Sequence, residues 1–171
     1  MSLTTVRPAE LRELDGSPQI LQSGYWGAFK ERFGWRAHPF RVEGAGVRCA
    51  LLVLTRGAAP GIRLAYVPLG PSIPEPPADA GAMLVDLAHR IAPHLPPDTV
   101  AVRFDLPWYS EGAGARPPTP ARRKGLRRSP VDVQPTSTVV VHVGGGESEI
   151  LAGMKSKWRY NVRLSMRRGV E

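Results

Sequence analysis

The chain has 171 residues, of which 42% are hydrophobic, and a formal net charge of +8. This length suits one globular domain, or one domain with part of another, and the hydrophobic content is sufficient for a buried core. No run approaches the roughly 20 consecutive apolar residues that span a bilayer, and the amino terminus lacks the apolar region of a signal peptide. The single cysteine, Cys49, excludes an intrachain disulfide and is expected to be a small core residue. We therefore expect a soluble, cytoplasmic protein.

The positive charge is concentrated in two segments. Residues 116–128 carry six basic and no acidic side chains, and residues 155–168 carry another six, which leaves 11 basic against 15 acidic residues elsewhere. Such local basicity indicates a polyanionic partner, whether nucleic acid, a nucleotide-linked substrate or an acidic lipid surface. A solvated helix face is the plain alternative for the second segment.

The amino-terminal part of the chain predicts two helices. Residues 8–14 are typical of a short helix with a proline in its first turn. A second helix is expected between Ser23, a suitable N-cap residue, and Gly34, a suitable C-terminal stop. Three aromatic residues are spaced to share one face of this helix: Trp26, Phe29 and Phe33. Lys30 lies beside that face and is either an ordinary surface lysine or a contact for an anion.

Three strands are predicted next, at residues 36–43, 47–55 and 62–68, with glycine-rich turns at 44–46 and 56–61. We expect them to form an antiparallel meander. The third strand ends at a Pro-Leu-Gly-Pro sequence, where backbone amides leave the ladder and could face a ligand.

The remaining elements alternate between helices and strands. Residues 78–95 predict a helix, and residues 99–105 predict a strand that leads into an aromatic loop at 106–110. Ligands in open α/β sheets favour such carboxyl ends of strands. A basic, proline-rich loop follows at 116–128, and the last strand is expected at 138–143. The histidines lack metal-ligand spacing with any cysteine or carboxylate, so no metal site is expected: His38, His89, His94 and His142.

A basic helix, for which Ser148 is a candidate N-cap residue, is predicted to run to residue 169. Its basic side chains recur every fourth residue: Lys155, Arg159, Arg163 and Arg167. A neighbouring apolar stripe is formed by Leu151, Met154, Trp158 and Val162. Because no acidic residue lies between Glu149 and Glu171, the like charges repel along the helix, which favours an anionic partner or solvent opposite them.

Recognisable catalytic motifs are few. The sequence contains no Gly-x-Ser-x-Gly motif, no Walker loop and no Cys/His pair placed for nucleophilic chemistry. Residues 41–46 match the Arg-x-x-Gly-x-Gly pattern by which acetyltransferases of the GNAT superfamily hold the pyrophosphate of coenzyme A. That loop opens a helix whose amino-terminal amides meet the phosphates, whereas a strand follows here. We therefore interpret residues 44–46 as a hairpin turn.

Several segments together resemble one family, the FemABX peptidoglycan aminoacyltransferases, which build interpeptide bridges in bacterial cell walls. Each segment is weak alone, but their order and spacing are fairly specific and extend over nearly the whole chain. The matching segments are residues 22–30 with 34–35, 66–71, 102–105, 133–136, and 154–163 with 168–170.

The resemblance implies an α/β fold of the α+β kind, with a GNAT-like, mixed and largely antiparallel sheet flanked by helices. Residues 1–136 would form a first GNAT-like domain, and residues 137–171 the opening strand and basic helix of a truncated second one. Because one strand and one helix cannot bury a core of their own, we expect them to dock on the first domain, to pair with a second copy, or to be completed by a separate polypeptide.

The family transfers an amino acid from aminoacyl-tRNA to an amine of a UDP-linked or lipid-linked muropeptide, without a cofactor. By resemblance, Lys30 matches a lysine that contacts the substrate phosphates, and Tyr109 matches a tyrosine at the same substrate, although the loop before it differs. Lys155, Arg159 and Arg163 are expected to meet tRNA or substrate phosphate. No catalytic residue is identified. The implied partners are aminoacyl-tRNA and the muropeptide, with peripheral association at a membrane lipid precursor.

Two alternatives remain open. The first is a non-catalytic basic module that binds nucleic acid or a partner protein. The second is an acetyl-coenzyme A-dependent enzyme of the GNAT superfamily.

Overall fold

The computed structural model describes most of the chain, namely residues 3–44, 47–73, 78–108, 120, 123–135, 138 and 143–170. The chain divides into two compact units, Met1–Val133 and Gln134–Glu171. The predicted domain boundary after residue 136 stays a prediction, because residues 136 and 137 lie outside the described ranges.

The first unit is built on a five-stranded sheet with the strands in sequence order. The strands are β1 (Leu3–Pro8), β2 (Arg36–Gly44), β3 (Val47–Ala59), β4 (Ile62–Val67) and β5 (Thr99–Phe104). The first four pair antiparallel, and β5 pairs parallel with β4. The expected mixed, largely antiparallel sheet is therefore present.

The predicted meander is confirmed, with one change in length. Strands β2 and β3 stay paired up to Gly44 and Val47, which confirms a hairpin rather than a helix-opening loop at this point. Strand β3 runs further than expected, because Gly57 and Ala59 still pair with β4. The turn predicted at residues 56–61 is therefore wrong, and the strands are joined by the two residues that separate Ala59 from Ile62.

The first predicted helix is also wrong. Pro8 ends strand β1, whose outer position in the sheet tolerates a proline at the strand end. A single turn of 3₁₀ helix follows at Leu11–Leu14. Its start is held by a capping box in which the amide of Glu10 donates to Glu13 Oε1 over 2.9 Å.

Helix α1 (Gly24–Glu31) and the 3₁₀ turn cover one face of the sheet. Strand β3 is buried on both faces, so residues 51–55 are all buried. Leu51 and Val53 pack on the other side, and Leu52 and Leu54 pack on this side with Leu14. The three leucine side chains on this side are fully buried. Trp26, on α1, packs against them and is itself partly buried.

Helix α2 (Ala80–Ile91) covers the opposite face and confirms the predicted helix, which a turn of 3₁₀ helix extends at Ala92–His94. Asp79 caps it, since its Oδ1 accepts from the amide of Ala82 over 3.1 Å. The main core on this side consists of Phe40, Val42, Leu51, Val53, Ala65, Val67, Ala80, Met83, Leu84, Leu87, Ile91, Leu95 and Trp108. Cys49 is half-buried beside it, and burial raises the pKa of its thiol to about 11.

The second unit contains helices α3 (Glu147–Gly153) and α4 (Ser156–Arg167). One continuous basic helix was expected, but the backbone is extended at Met154 and Lys155, which interrupts it. The N-cap residue of α3 is Gly146, so the prediction for Ser148 is wrong. Most of the strand predicted at 138–143 lies outside the described residues.

Neither α3 nor α4 contains a buried residue. Across the part of the chain that the structure describes, no helix combines the length and the apolar character needed to cross a bilayer.

Candidate functional site

Helix α1 begins and ends where the sequence indicated. The amide of Trp26 donates to Ser23 Oγ over 3.2 Å, which confirms Ser23 as the N-cap residue. At the other end, Gly34 adopts a left-handed conformation with φ of 78°. The amides of Gly34 and Trp35 then donate to the carbonyls of Glu31 and Lys30, each over 3.3 Å. These two bonds form a Schellman motif, which reverses the chain into β2.

This reversal places a second indole beside Lys30. The Lys30 ammonium lies 4.9 Å from the ring centroid of Trp35 and 5.6 Å from that of Trp26. Both distances are within the range of cation–π attraction. Among the described residues, Lys30 forms no ion pair with a carboxylate. Its charge is therefore held in place by two aromatic rings and is not neutralised by an acidic neighbour.

The predicted aromatic row on α1 is confirmed as a set of contacting rings. The ring centroids of Trp26 and Phe29 are 5.2 Å apart, and those of Phe29 and Phe33 are 4.9 Å apart. The outer part of the row is open to solvent, because Phe29 is 38% and Phe33 is 59% exposed. Arg56, on β3, adds a second cation 5.7 Å from the Trp35 ring. We call this combination of Trp26, Phe29, Lys30, Phe33, Trp35 and Arg56 the aromatic–lysine surface.

The other substrate residue implied by the resemblance, Tyr109, lies outside the described residues. In the predicted aromatic loop at 106–110, Trp108 is buried in the main core, and residues 109 and 110 lie outside the described residues. The predicted basic loop is described only in part. Within it, Arg123 forms an ion pair with Asp79, the N-cap residue of α2.

A polar network that the sequence did not reveal lies at the carboxyl ends of β4 and β5. Asp105 accepts from Tyr66 Oη over 2.8 Å and from Arg103 Nε over 3.0 Å. The amide of Gly70, in the Pro-Leu-Gly-Pro sequence, donates to the Asp105 carbonyl over 3.0 Å and is therefore not open to a ligand. Sites often lie at the carboxyl ends of parallel strands, and this tendency could have predicted the network. Its use would have required knowing that β4 and β5 pair in parallel, which the sequence does not show.

The three basic residues assigned to tRNA or phosphate do not form one helical row. Lys155 occupies the N-cap position of α4, outside the helix. Arg159 donates through one guanidinium nitrogen to the carbonyls of Leu151 and Ala152, over 3.3 Å and 2.8 Å. It therefore caps the end of α3. Arg163 is exposed and lines a shallow groove along α4, together with Ser156, Arg159, Tyr160, Met166 and Arg167.

The interruption also divides the predicted apolar stripe. Leu151 and Met154 belong to α3 and its end, while Trp158 and Val162 belong to α4. Trp158 is 65% exposed.

In the described ranges, no three His, Cys, Asp or Glu side chains come together as metal ligands would. Among the predicted non-ligand histidines, His38 has its Nε2 2.9 Å from Thr55 Oγ1.

Comparisons of the chain with protein-family models, with curated proteins and with solved structures found no match. The resemblance to the FemABX family therefore stays a prediction that depends on the residues quoted for it.

Proposed function

We propose that the chain is the amino-terminal part of a peptidoglycan bridge-forming aminoacyltransferase, which moves an amino acid from aminoacyl-tRNA to a muropeptide precursor in the cytoplasm. The observation that carries this proposal is the position of Lys30, the residue matched to the phosphate-binding lysine of the FemABX family. Two indole rings hold its ammonium at the surface without a carboxylate partner among the described residues. A cation in this state is available to a phosphate oxygen.

The fold supports the same proposal at a coarser level. A largely antiparallel sheet lies between helices on both faces, and β5 is added in parallel at one edge. This arrangement is compatible with a GNAT-like first domain, which is what the FemABX resemblance implies for residues 1–136.

The proposed chemistry makes modest demands on the protein. The ester of aminoacyl-tRNA is already activated, so the amine of the acceptor needs positioning, loss of a proton and stabilisation of a tetrahedral oxyanion. No metal or covalent nucleophile is required. In this scheme Lys30 and Tyr109 hold the muropeptide, and Lys155, Arg159 and Arg163 meet tRNA or substrate phosphate.

Calorimetry with UDP-linked and lipid-linked muropeptides tests the assignment of Lys30. We expect Lys30→Gln to weaken binding of at least one of them by about tenfold, because a charge-assisted contact to phosphate is lost. Arg32→Gln is the matched control, since Arg32 is an exposed cation at the end of the same helix. Equal affinities of the native chain and the Lys30→Gln variant would remove Lys30 from the site.

The tRNA assignment is tested by the dependence of affinity on salt. Replacing Lys155, Arg159 and Arg163 by alanine should reduce the slope of log affinity against log salt by about 2, because each phosphate contact releases counterions. A triple variant at Arg12, Arg32 and Arg36, which are exposed and lie outside both basic segments, removes the same charge and serves as the control. An unchanged slope in the first variant contradicts the assignment.

A second candidate function is a basic module that binds nucleic acid or a partner and catalyses nothing. The observation that favours it is the exposure of α3 and α4, in which no residue is buried. Incubation with charged tRNA and a muropeptide acceptor separates the two functions, since binding without transfer favours the module.

The Arg-x-x-Gly-x-Gly match at residues 41–46 does not support the acetyl-coenzyme A alternative, because residues 41–44 belong to β2 and pair with β3. Calorimetry with coenzyme A tests it directly.

A further inference from the structure

Helix α4 carries two rows of side chains that lie next to each other. The apolar row consists of Trp158, Val162 and Met166, and the arginine row consists of Arg159, Arg163 and Arg167. Members of each row are four residues apart, and the rows are offset by one residue, so both run along the helix on adjoining strips of its surface. The helix is therefore amphipathic across a boundary between apolar and cationic side chains.

Two of the three side chains in the apolar row are exposed to solvent, and the third, Val162, is half-buried. Trp158 is 65% and Met166 is 58% exposed, and no residue of α4 is buried. Two further large side chains are exposed outside this row. Tyr160, which helical spacing places beyond the arginine row, is 57% exposed, and Val170, just after the helix, is 65% exposed. Exposed large apolar side chains along one row of a helix indicate a binding surface.

The charge of the segment restricts what that partner can be. Every charged side chain from residue 150 to residue 170 is basic. Within the described residues, the side chains of Arg163 and Arg167 form no ion pair with a carboxylate. The partner must therefore be anionic and must also accept apolar side chains.

We propose that this surface of α4 binds the face of a lipid bilayer that contains anionic phospholipids, with the helix lying in the plane of the membrane. Interfacial helices combine an apolar strip that enters the headgroup region with Lys and Arg beside it that meet lipid phosphates. Trp and Tyr are the residues enriched at this depth, because their rings have an apolar body and a polar end.

Two other partners fit the surface less well. The tRNA proposed above as a partner of Arg159 and Arg163 is the competing anion. It would satisfy the arginine row but leaves the aliphatic side chains of Val162 and Met166 without a role, since stacking on bases requires aromatic rings, and the vesicle experiment below decides between the two. A second copy of the chain would cover the apolar row but would bring two arginine rows together, and like charges placed face to face oppose association. The bilayer is the partner that uses both rows.

Cosedimentation of the full chain with lipid vesicles tests this inference. We expect binding to vesicles of phosphatidylcholine mixed with phosphatidylglycerol to be at least about tenfold tighter than binding to phosphatidylcholine alone, and to weaken as salt is added. Two variants, Trp158→Ser/Met166→Ser and Arg163→Gln/Arg167→Gln, should each lose about tenfold or more of this affinity. All four side chains are exposed, so both variants should keep the far-ultraviolet circular dichroism of the native chain.

Matched controls are available elsewhere in the chain. Val131→Ser/Val133→Ser removes two comparably exposed apolar side chains, and Arg32→Gln/Arg36→Gln removes the same charge from two exposed arginines outside both basic segments. Both controls should bind like the native chain. The vesicles contain no muropeptide and no tRNA, so the result is independent of transferase activity.

Several outcomes would overturn the inference. The inference is wrong if vesicle binding does not depend on phosphatidylglycerol. It is also wrong if the two α4 variants bind vesicles as tightly as the native chain, because the contact with the bilayer then lies elsewhere in the chain. RNA binding that only the arginine variant weakens, without vesicle binding, assigns the surface to nucleic acid. A dimer that Trp158→Ser/Met166→Ser dissociates, without vesicle binding, assigns it to a second copy.

Discussion

Gln22 is a fully buried polar side chain that joins two parts of the first unit. Its Nε2 donates to the carbonyls of Leu52 and Pro68, over 3.3 Å and 2.6 Å, and its Oε1 accepts from the amide of Leu52 over 2.8 Å. Strand β3 pairs with β4 only from Leu54 onward, so the Gln22 amide takes the place of a neighbouring strand at Leu52. The side chain thereby completes the hydrogen bonding of the sheet where the ladder has ended.

We expect Gln22→Leu to lower the free energy of unfolding by about 3 kcal/mol, because it leaves buried backbone groups of Leu52 and Pro68 without partners. Gln19→Leu, at a half-buried position where the side chain does not cap the following turn, should change it by less than about 0.5 kcal/mol. Urea unfolding of the three proteins measures the difference. Similar midpoints for the native chain and Gln22→Leu would show that the amide is not needed.

His38 should make the stability of the fold depend on pH. Burial, followed by the charges of Arg36 and Arg63, lowers the pKa of its imidazole below the usual value of 6.5. As the pH falls through that usual value, the unfolded chain therefore binds the proton before the folded chain does, and stability is lost. It is fully present above that pH.

We expect His38→Gln to reduce this loss of stability between about pH 7.5 and pH 5, as measured by urea unfolding at each pH. Glutamine keeps a polar group near Thr55 but has no proton to gain in this range. The control variant His89→Gln retains His38 and should show the same loss as the native chain. An equal loss in the native chain and in His38→Gln would contradict the assignment.

At the scale of elements, the turn between α3 and α4 is held by one side chain. Arg159, in α4, donates to the carbonyls of Leu151 and Ala152 at the end of α3, and the Leu151 carbonyl also accepts from the amide of Met154. We expect Arg159→Gln to speed amide hydrogen exchange in α3 by about fivefold, which corresponds to about 1 kcal/mol of local opening free energy. Arg163→Gln removes an exposed arginine from the same helix face and should leave α3 unchanged. Equal exchange in both variants would indicate that α3 does not need the cap.

The elements that the sequence predicted correctly are those with strong local signals. Ser23 and Gly34 mark the ends of α1, alternating burial marks β2 and β4, and a continuous apolar run marks β3. The interruption at Met154 and Lys155 has no such signal, because both residues fit a helix and the basic spacing continues across it. Strand β1 also lacks one, since its pairing with β2 is a contact between distant residues.

In the candidate site, too, some contacts could be predicted from the sequence and others could not. The position of Lys30 beside Trp26 follows from helical spacing and could be predicted. Its contact with Trp35 could not, because that ring is brought back by the Schellman turn. The network of Asp105 with Tyr66 and Arg103 depends on β4 lying beside β5, which is a property of the assembled sheet.

At the scale of the whole molecule, the buried core lies in one of the two units. Every buried hydrophobic residue of the described chain falls between Leu14 and Trp108. We therefore expect residues 1–133 alone to fold and to unfold within about 1 kcal/mol of the full chain in urea. Circular dichroism and a single cooperative transition are the measurements. Loss of cooperativity in the shorter chain would show that the second unit contributes to folding.

The parallel pairing of β4 and β5 also affects how the first unit assembles in time. The strands from β2 to β4 are joined by short turns, whereas β5 reaches its partner only after the long connection that contains α2. Contacts between residues distant in the sequence form slowly, because the intervening chain loses entropy before they contribute. Strand β5 should therefore be the last to join β4. Until it does, the network of Asp105 with Tyr66 and Arg103 cannot form, so this end of the sheet is completed later than the meander of β2 to β4.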